Sequence, residues 1–118
     1  MRKQRLRIER YDFGSIVIDG KRYTSDVIIY PDKVNSHWWR KEGHLLQLDD
    51  IKEVLKEEPE IIIVGTGNLG QMHVSSKVKM HLENKGIELI IEKTKDACSI
   101  YNKLFGSKKV IATLHLTC

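Results

Sequence analysis

The sequence contains only two cysteines, Cys98 and Cys118, and they form no C-x-x-C pair. That count and spacing imply neither a disulfide scaffold nor a zinc knuckle. No apolar run approaches the length needed to cross a bilayer. The longest useful one, Ile61-Ile62-Ile63-Val64, is strand-sized. The basic N-terminus is followed by no apolar core segment, so a secretory signal is not expected and the expected location is the cytoplasm. The histidines His37, His44, His73, His81 and His115 include no pair at i, i+4 spacing and no H-E-x-x-H motif, so no metal site is expected. No Ser-His-Asp arrangement can be read from the chain order, and no catalytic residue is assigned. Both prolines fall at the ends of apolar stretches, Pro31 after Tyr30 and Pro59 after a helical stripe. There they stop elements rather than break them.

What is present is an ordinary globular composition. The chain has 118 residues, 41% hydrophobic and 31% charged, with a net charge of +4. That length makes one domain, 1–118, able to bury a core without staples. The mild positive charge permits an acidic partner without requiring one.

The first 30 residues read as strands. Leu6 and Ile8 alternate with Arg5, Arg7 and Glu9, Gly14 marks a turn, and Ile16-Val17-Ile18 is closed by Asp19-Gly20. Asp-Gly supplies the positive φ angles of a type I′ turn, so Lys21-Arg22-Tyr23 is predicted to return as a hairpin. Val27–Tyr30 is a further strand, and residues 33–47 read mostly as loop. Asp50 with Glu53 suggests a capping-box helix start. Ile61–Val64 is apolar throughout, as in a strand covered on both faces. A helix capped by Ser75 or Ser76, a strand over 87–91, a helix from Thr94 and a strand with Val110, Ala112, Leu114 and Leu116 complete the chain. Strand and helix alternate after residue 48, which predicts a βαβ core. The expected fold is α/β and three-layered: a mixed β-sheet with helices, plus an N-terminal antiparallel β layer.

The order of several short motifs carries a resemblance. Phe13-Gly14-Ser15-Ile16 is followed by Tyr23-Thr24-Ser25-Asp26-Val27-Ile28, Trp38, Gly65-Thr66-Gly67 and Thr94. Ala97-Cys98, Tyr101-Asn102-Lys103-Leu104 and Val110-Ile111-Ala112 complete it. Together they resemble the Mth-type domain family of unknown function. Its members include an adipogenesis-associated protein and an assembly factor of mitochondrial complex I. The resemblance covers nearly the whole chain. It implies a three-layer α/β fold and no agreed activity.

Two local clusters are candidate sites. Gly65-x-Gly67-x-x-Gly70 follows an apolar strand and precedes a helix, the context of a dinucleotide fingerprint. The chain is short for a dinucleotide domain, and Glu88 and Glu92 are uncertain ribose partners. No cofactor is therefore expected. The amides of Gly65, Thr66, Gly67, Asn68 and Gly70 are a candidate small-anion site, weighed against a plain tight turn. The second cluster, Trp38, Trp39 and Arg40 with Lys41, joins residue types typical of interface anchors. Within it Trp38 is expected to be structural and Trp39 exposed. Cys98 shares a helical face with Tyr101 and reads as core. Nucleic acid is not the expected partner of the basic stretch Arg2, Lys3, Arg5, Arg7 and Arg10, because edge-strand charge explains it equally well. The expected function is that of a non-catalytic protein-interaction or assembly-type module, binding a partner protein or a second copy. The alternative is a small-ligand or anion-binding protein, or an enzyme, with a pocket at the glycine turn.

Overall fold

A computed structural model describes residues 6–118. The N-terminal layer is an antiparallel sheet of β1 (Ile8–Asp12), β2 (Ser15–Ile18) and β3 (Lys21–Tyr23). Asp19 and Gly20 both have positive φ, 48° and 80°, and they bring Lys21 opposite Ile18. The hairpin register follows from that turn. Arg2, Lys3 and Arg5 lie outside the described residues, while Arg7 and Arg10 are exposed.

The main sheet has five strands in the order β5 (Val34–Asn35), β4 (Val27–Ile29), β10 (Val110–Leu114), β7 (Ile61–Gly65) and β9 (Glu88–Glu92). β10, β7 and β9 are parallel, and β4 and β5 extend the edge antiparallel. A two-residue parallel pair joins β6 (Leu45–Leu46), in a segment that read as loop in the sequence, to β8 (His73–Val74), which was assigned no element there. The described residues also form three helices: α1 (Lys52–Lys56), entered through a 3-10 turn over Leu48–Ile51, α2 (Ser76–Asn84) and α3 (Thr94–Leu104).

Side-chain alternation along the central strands fills two cores. Ile61 and Ile63 of β7 join Val27, Ile29, Val110 and Ala112 in one core, closed by Ile16 and Ile18 of the N-terminal sheet and by Ala97, Cys98 and Tyr101 of α3. Ile62 and Val64 point the other way, with Ile28 and Ile111, against Val54 of α1 and Val78 and Leu82 of α2. The chain is thus a three-layer α/β fold. The N-terminal sheet is fixed to α3 by polar stitches. Asn102 pairs with both backbone groups of Ile8, at 3.0 and 2.7 Å, and the Tyr101 hydroxyl donates to the Leu6 carbonyl at 2.7 Å.

Two helix details differ from the sequence reading, and one open choice is resolved. Asp50 is not the cap but the third residue of the 3-10 turn, where its carboxylate accepts from the Gln47 amide at 2.8 Å. Ser75 rather than Ser76 caps α2, accepting from the Val78 amide at 3.2 Å. Thr94 begins α3 without capping it, because its hydroxyl is used elsewhere. Phe105, past the end of α3, is half-buried and stacks on Tyr101 with centroids 5.3 Å apart. The large core ring of this helix is Tyr101 alone.

Candidate functional site

The carboxyl ends of β7, β9 and β10 meet at one edge of the molecule, with the segment His115–Cys118 lying across them. The loop after β7 leads to α2 on one face of the sheet, and the loop after β9 leads to α3 on the other. Ligands of open α/β sheets are usually held at such a divergence. Here it is closed by the chain itself.

The glycine turn occupies this crevice, and its amides are engaged inside the chain. Thr66 donates to the Glu92 carbonyl at 2.9 Å, Gly67 to the Thr94 hydroxyl at 2.8 Å, Asn68 to the Thr117 carbonyl at 2.6 Å and Gly70 to the Gly67 carbonyl at 3.2 Å. The Gln71 amide adds a bond to the Cys118 carbonyl at 3.0 Å. Gly67 has φ +108°, and a Cβ there would collide with the Cys118 backbone and approach His115 Cδ2 to 2.9 Å. A Cβ on Gly65 would meet Leu114 and Thr94 at 2.8 and 2.9 Å. These two glycines therefore let backbone and tail pack closely. The turn does not open a helix, as the fingerprint reading requires. β8 intervenes before α2 begins at Ser76. Carbonyl oxygens of the tail accept from two of the backbone donors of segment 66–71.

The Thr94 hydroxyl joins the three segments. It accepts from Gly67 and donates to the His115 carbonyl at 2.6 Å. Thr94 is fully buried, and a hydroxyl with both roles filled is a low-cost way to carry a polar group into a core.

The aromatic cluster divides by side. Trp38 is 7% exposed and Trp39 75%. The Trp38 amide donates to the Asp26 carbonyl at 3.2 Å, and its indole N–H donates to the Asp50 carbonyl at 3.0 Å. Arg40 is turned inward as well, 8% exposed. Its Cζ lies 4.5 Å from the Trp38 ring centroid, and Nε and Nη2 both donate to the Gly43 carbonyl, at 3.1 and 2.8 Å. Arg40 is therefore not a surface anchor. Trp39 is held outward between two buried neighbours.

Arg40 leads to a cluster that spacing did not reveal. Its Nη2 donates to Asp26 Oδ2 at 2.9 Å, and His115 Nδ1 meets the same oxygen at 2.8 Å. Asp26 Oδ1 accepts from the Leu116 amide at 2.8 Å. The His44 ring stands edge-on to His115, with centroids 5.6 Å apart. Burial works to raise the Asp26 pKa, but the bonds from His115, Leu116 and Arg40 outweigh it and hold the carboxyl below its usual range. Asp26 thus fastens the aromatic loop and the tail to the start of β4.

Other features fall away from this edge. Cys98 is buried, and burial pushes its thiol up to about 12, so it remains protonated core. A cleft of about 390 Å³, lined by Leu55, Pro59, Glu60, His81, Lys85 and Ile87, opens at the opposite end of the sheet. Among the described residues, no group of three or more His, Cys, Asp or Glu could hold a metal ion, and no helix is long and apolar enough to cross a membrane.

Among the described residues, the exposed large apolar side chains are Phe13, Trp39, Leu69 and Met80. The first three adjoin residues that hold the tail or its anchor. Gly14, beside Phe13, donates to the Leu116 carbonyl at 2.9 Å; Asn68 precedes Leu69; Trp39 lies between Trp38 and Arg40. Isolated exposed apolar groups are ordinary; of these, Trp39 stands on a loop fixed by the buried side chains of Trp38 and Arg40.

These features define a small α/β domain in which antiparallel strands and a parallel βαβ unit close over their own tail. The chain belongs to the family described as protein of unknown function (DUF498/DUF598), whose profile matches residues 8–115. Its fold is that of a conserved hypothetical protein, PH1505, from Pyrococcus horikoshii OT3, with TM-score 0.83 and 29% identity over 96% of this chain and 100% of that one. MT938 is similar at 25% identity and TM-score 0.80, over 96% and 99% of the two chains. A structure described as an outer membrane protein from Bartonella henselae shares the fold at 22% identity and TM-score 0.82, over 97% of each chain. The Mth-type resemblance drawn from the sequence is thereby shown.

Proposed function

We propose that this chain is a non-catalytic protein-interaction module whose contact surface is centred on Trp39. The observation that carries this reading is the exposure of Trp39 on a loop fixed from beneath. A ring at 75% exposure adds little to the fold. Its neighbours Trp38 and Arg40, by contrast, are tied to Asp26, Gly43 and Asp50. A rigid loop presenting a large ring has already lost the conformational freedom that binding would otherwise cost. Tryptophan is also among the residues that most often dominate contact energy. In this reading Gly65, Thr66, Gly67, Asn68 and Gly70 form the bed for the tail and present Leu69, rather than an anion cradle. The reading places the chain in the cytoplasm and assigns it a polypeptide partner, which is a second copy or another protein, and no cofactor.

Trp39→Ala is expected to leave the denaturation midpoint within about 0.5 kcal/mol of wild type, as for a surface substitution. It should also weaken association in sedimentation, alone or with the recovered partner. Trp38→Ala is expected to lower the midpoint, because it removes a buried ring and its hydrogen bond to Asp50. A Trp39→Ala protein that unfolds, or that associates as wild type does, would remove the basis for this assignment.

A further inference from the structure

The main sheet has two edges among the described residues, and they differ. β5, at one edge, has two residues, too few to template another strand. β9, at the other, has five, Glu88-Leu89-Ile90-Ile91-Glu92, and pairs with β7 alone. Its register with β7 runs unbroken from Glu88 opposite Ile61 to Glu92 opposite Gly65. It therefore carries neither proline nor bulge, two of the devices that blunt an exposed edge.

The ladder fixes which backbone groups are already used. The Glu88 amide donates to the Glu60 carbonyl at 3.1 Å, and the Glu92 carbonyl accepts from the Thr66 amide at 2.9 Å. In a parallel pair one residue turns both of its backbone groups to the neighbour and the next turns both away. Glu88, Ile90 and Glu92 therefore bond toward β7, while the N–H and C=O of Leu89 and Ile91 point out from the sheet edge. Side chains alternate as well. Leu89 and Ile91 are half-buried on the α2 side, and Ile90 is half-buried on the α3 side. Glu88 and Glu92 are exposed and share the face of Ile90.

We propose that the outer edge of β9 takes a further antiparallel strand from a partner polypeptide, an extended apolar segment flanked by lysine or arginine four residues apart. The outward groups of Leu89 and Ile91 supply the main-chain hydrogen bonds of such strand addition. With the partner centred on Ile90, Glu88 and Glu92 fall at non-hydrogen-bonded positions, where facing side chains are closest. Opposite charges facing one another there stabilise the pair, and like charges destabilise it. A second copy in this register sets each Glu88 against a Glu92. The two carboxylates that favour a basic partner thus oppose pairing of the chain with itself. Trp39 follows β5 at the opposite edge of the sheet, so this surface goes beyond the Trp39 reading and each stands or fails without the other.

The full chain is titrated with a capped, fluorescent peptide, Ser-Lys-Val-Ile-Val-Lys-Ser, and followed by anisotropy and amide hydrogen exchange. The expected result is saturable binding that slows exchange of the Leu89 and Ile91 amides. Replacing both lysines of the peptide by glutamate should weaken binding by about tenfold or more. Glu88→Lys combined with Glu92→Lys should reverse that preference. N-methylation of the two valines, whose N–H groups face β9, should abolish binding, while N-methylation of the central isoleucine should leave most of it. Ile91→Pro removes an outward N–H without touching the ladder to β7 and should weaken binding. If that variant does not fold, the methylated peptides on the wild-type chain give the same decision. No saturable binding, equal affinity for the lysine and glutamate peptides, or indifference to methylation of the valines overturns the proposal. Sedimentation showing self-association that Ile91→Pro abolishes also overturns it, because the occupant of the edge is then a second copy.

Discussion

Asp26→Ala is expected to destabilise the protein by about 3–5 kcal/mol, the range found when one member of a buried ion pair is removed and the other remains. The substitution leaves Arg40 buried without its counter-ion, held by the Gly43 carbonyl and the contact with His115, and takes the carboxylate from His115 Nδ1 and the Leu116 amide. Two segments should loosen together, the aromatic loop and the tail, because both are fastened to this one carboxylate. The same group sets an acid limb. The carboxyl is held below its ordinary value of 3.8, since bonds to its charged form outweigh the effect of burial. A depressed folded pKa means that the stabilisation is fully present above the ordinary carboxylate range. It is lost as pH falls through the lowered value. Denaturation midpoints measured from neutral pH downward should therefore fall less steeply in Asp26→Asn than in wild type. Equal acid slopes would show that Asp26 does not carry this linkage.

Tyr101→Ala is expected to cost about 3–5 kcal/mol, the range for emptying a large aromatic site in a packed core. Tyr101 is fully buried among Ile16, Ile18, Ile63, Ala112 and their neighbours, and its hydroxyl reaches the Leu6 carbonyl at 2.7 Å. It therefore joins α3, the main sheet and the N-terminal sheet. Phe105→Ala should cost less, because that ring is half-buried and rests on Tyr101 from beyond the helix end. Chemical denaturation of both variants should rank them in that order. The reverse ranking would mean that the core face of α3 has been assigned to the wrong ring.

The parts of the fold governed by local chemistry were readable from the sequence. Asp19-Gly20 set a hairpin because few other dipeptides tolerate two positive φ values. The continuous apolar run at 61–64 became a strand covered on both faces, with successive residues feeding opposite cores. Contacts far apart in sequence were not readable. Asp26 and Arg40 are 14 residues apart, and Arg40 and His115 are 75 apart, so no spacing rule links them. His115 lay within an alternating apolar strand pattern, and a lone histidine there looks like an ordinary surface position. Arg40 read as an interface anchor because arginine beside aromatic rings is typical of contact surfaces. A carboxylate supplied from β4 reversed that. The glycine turn was read as either an anion cradle or a plain tight turn; the tail that packs against Gly67 belongs to the other end of the chain. A helix was expected directly after it, and the two-residue strand β8 was too short to leave a pattern.

The central claim, that residue 39 touches another polypeptide, is tested most directly by photo-crosslinking at that position. Trp39 is replaced by benzoylphenylalanine, an aromatic photoreactive residue, and the protein is illuminated in its native cells. Met80, also exposed but on α2, serves as the control position. A discrete covalent adduct at position 39 and none at position 80 is the result this account predicts, and the adduct's mass separates a second copy from another protein. Position 39 yielding no adduct, or only the same scattered adducts as position 80, would contradict it.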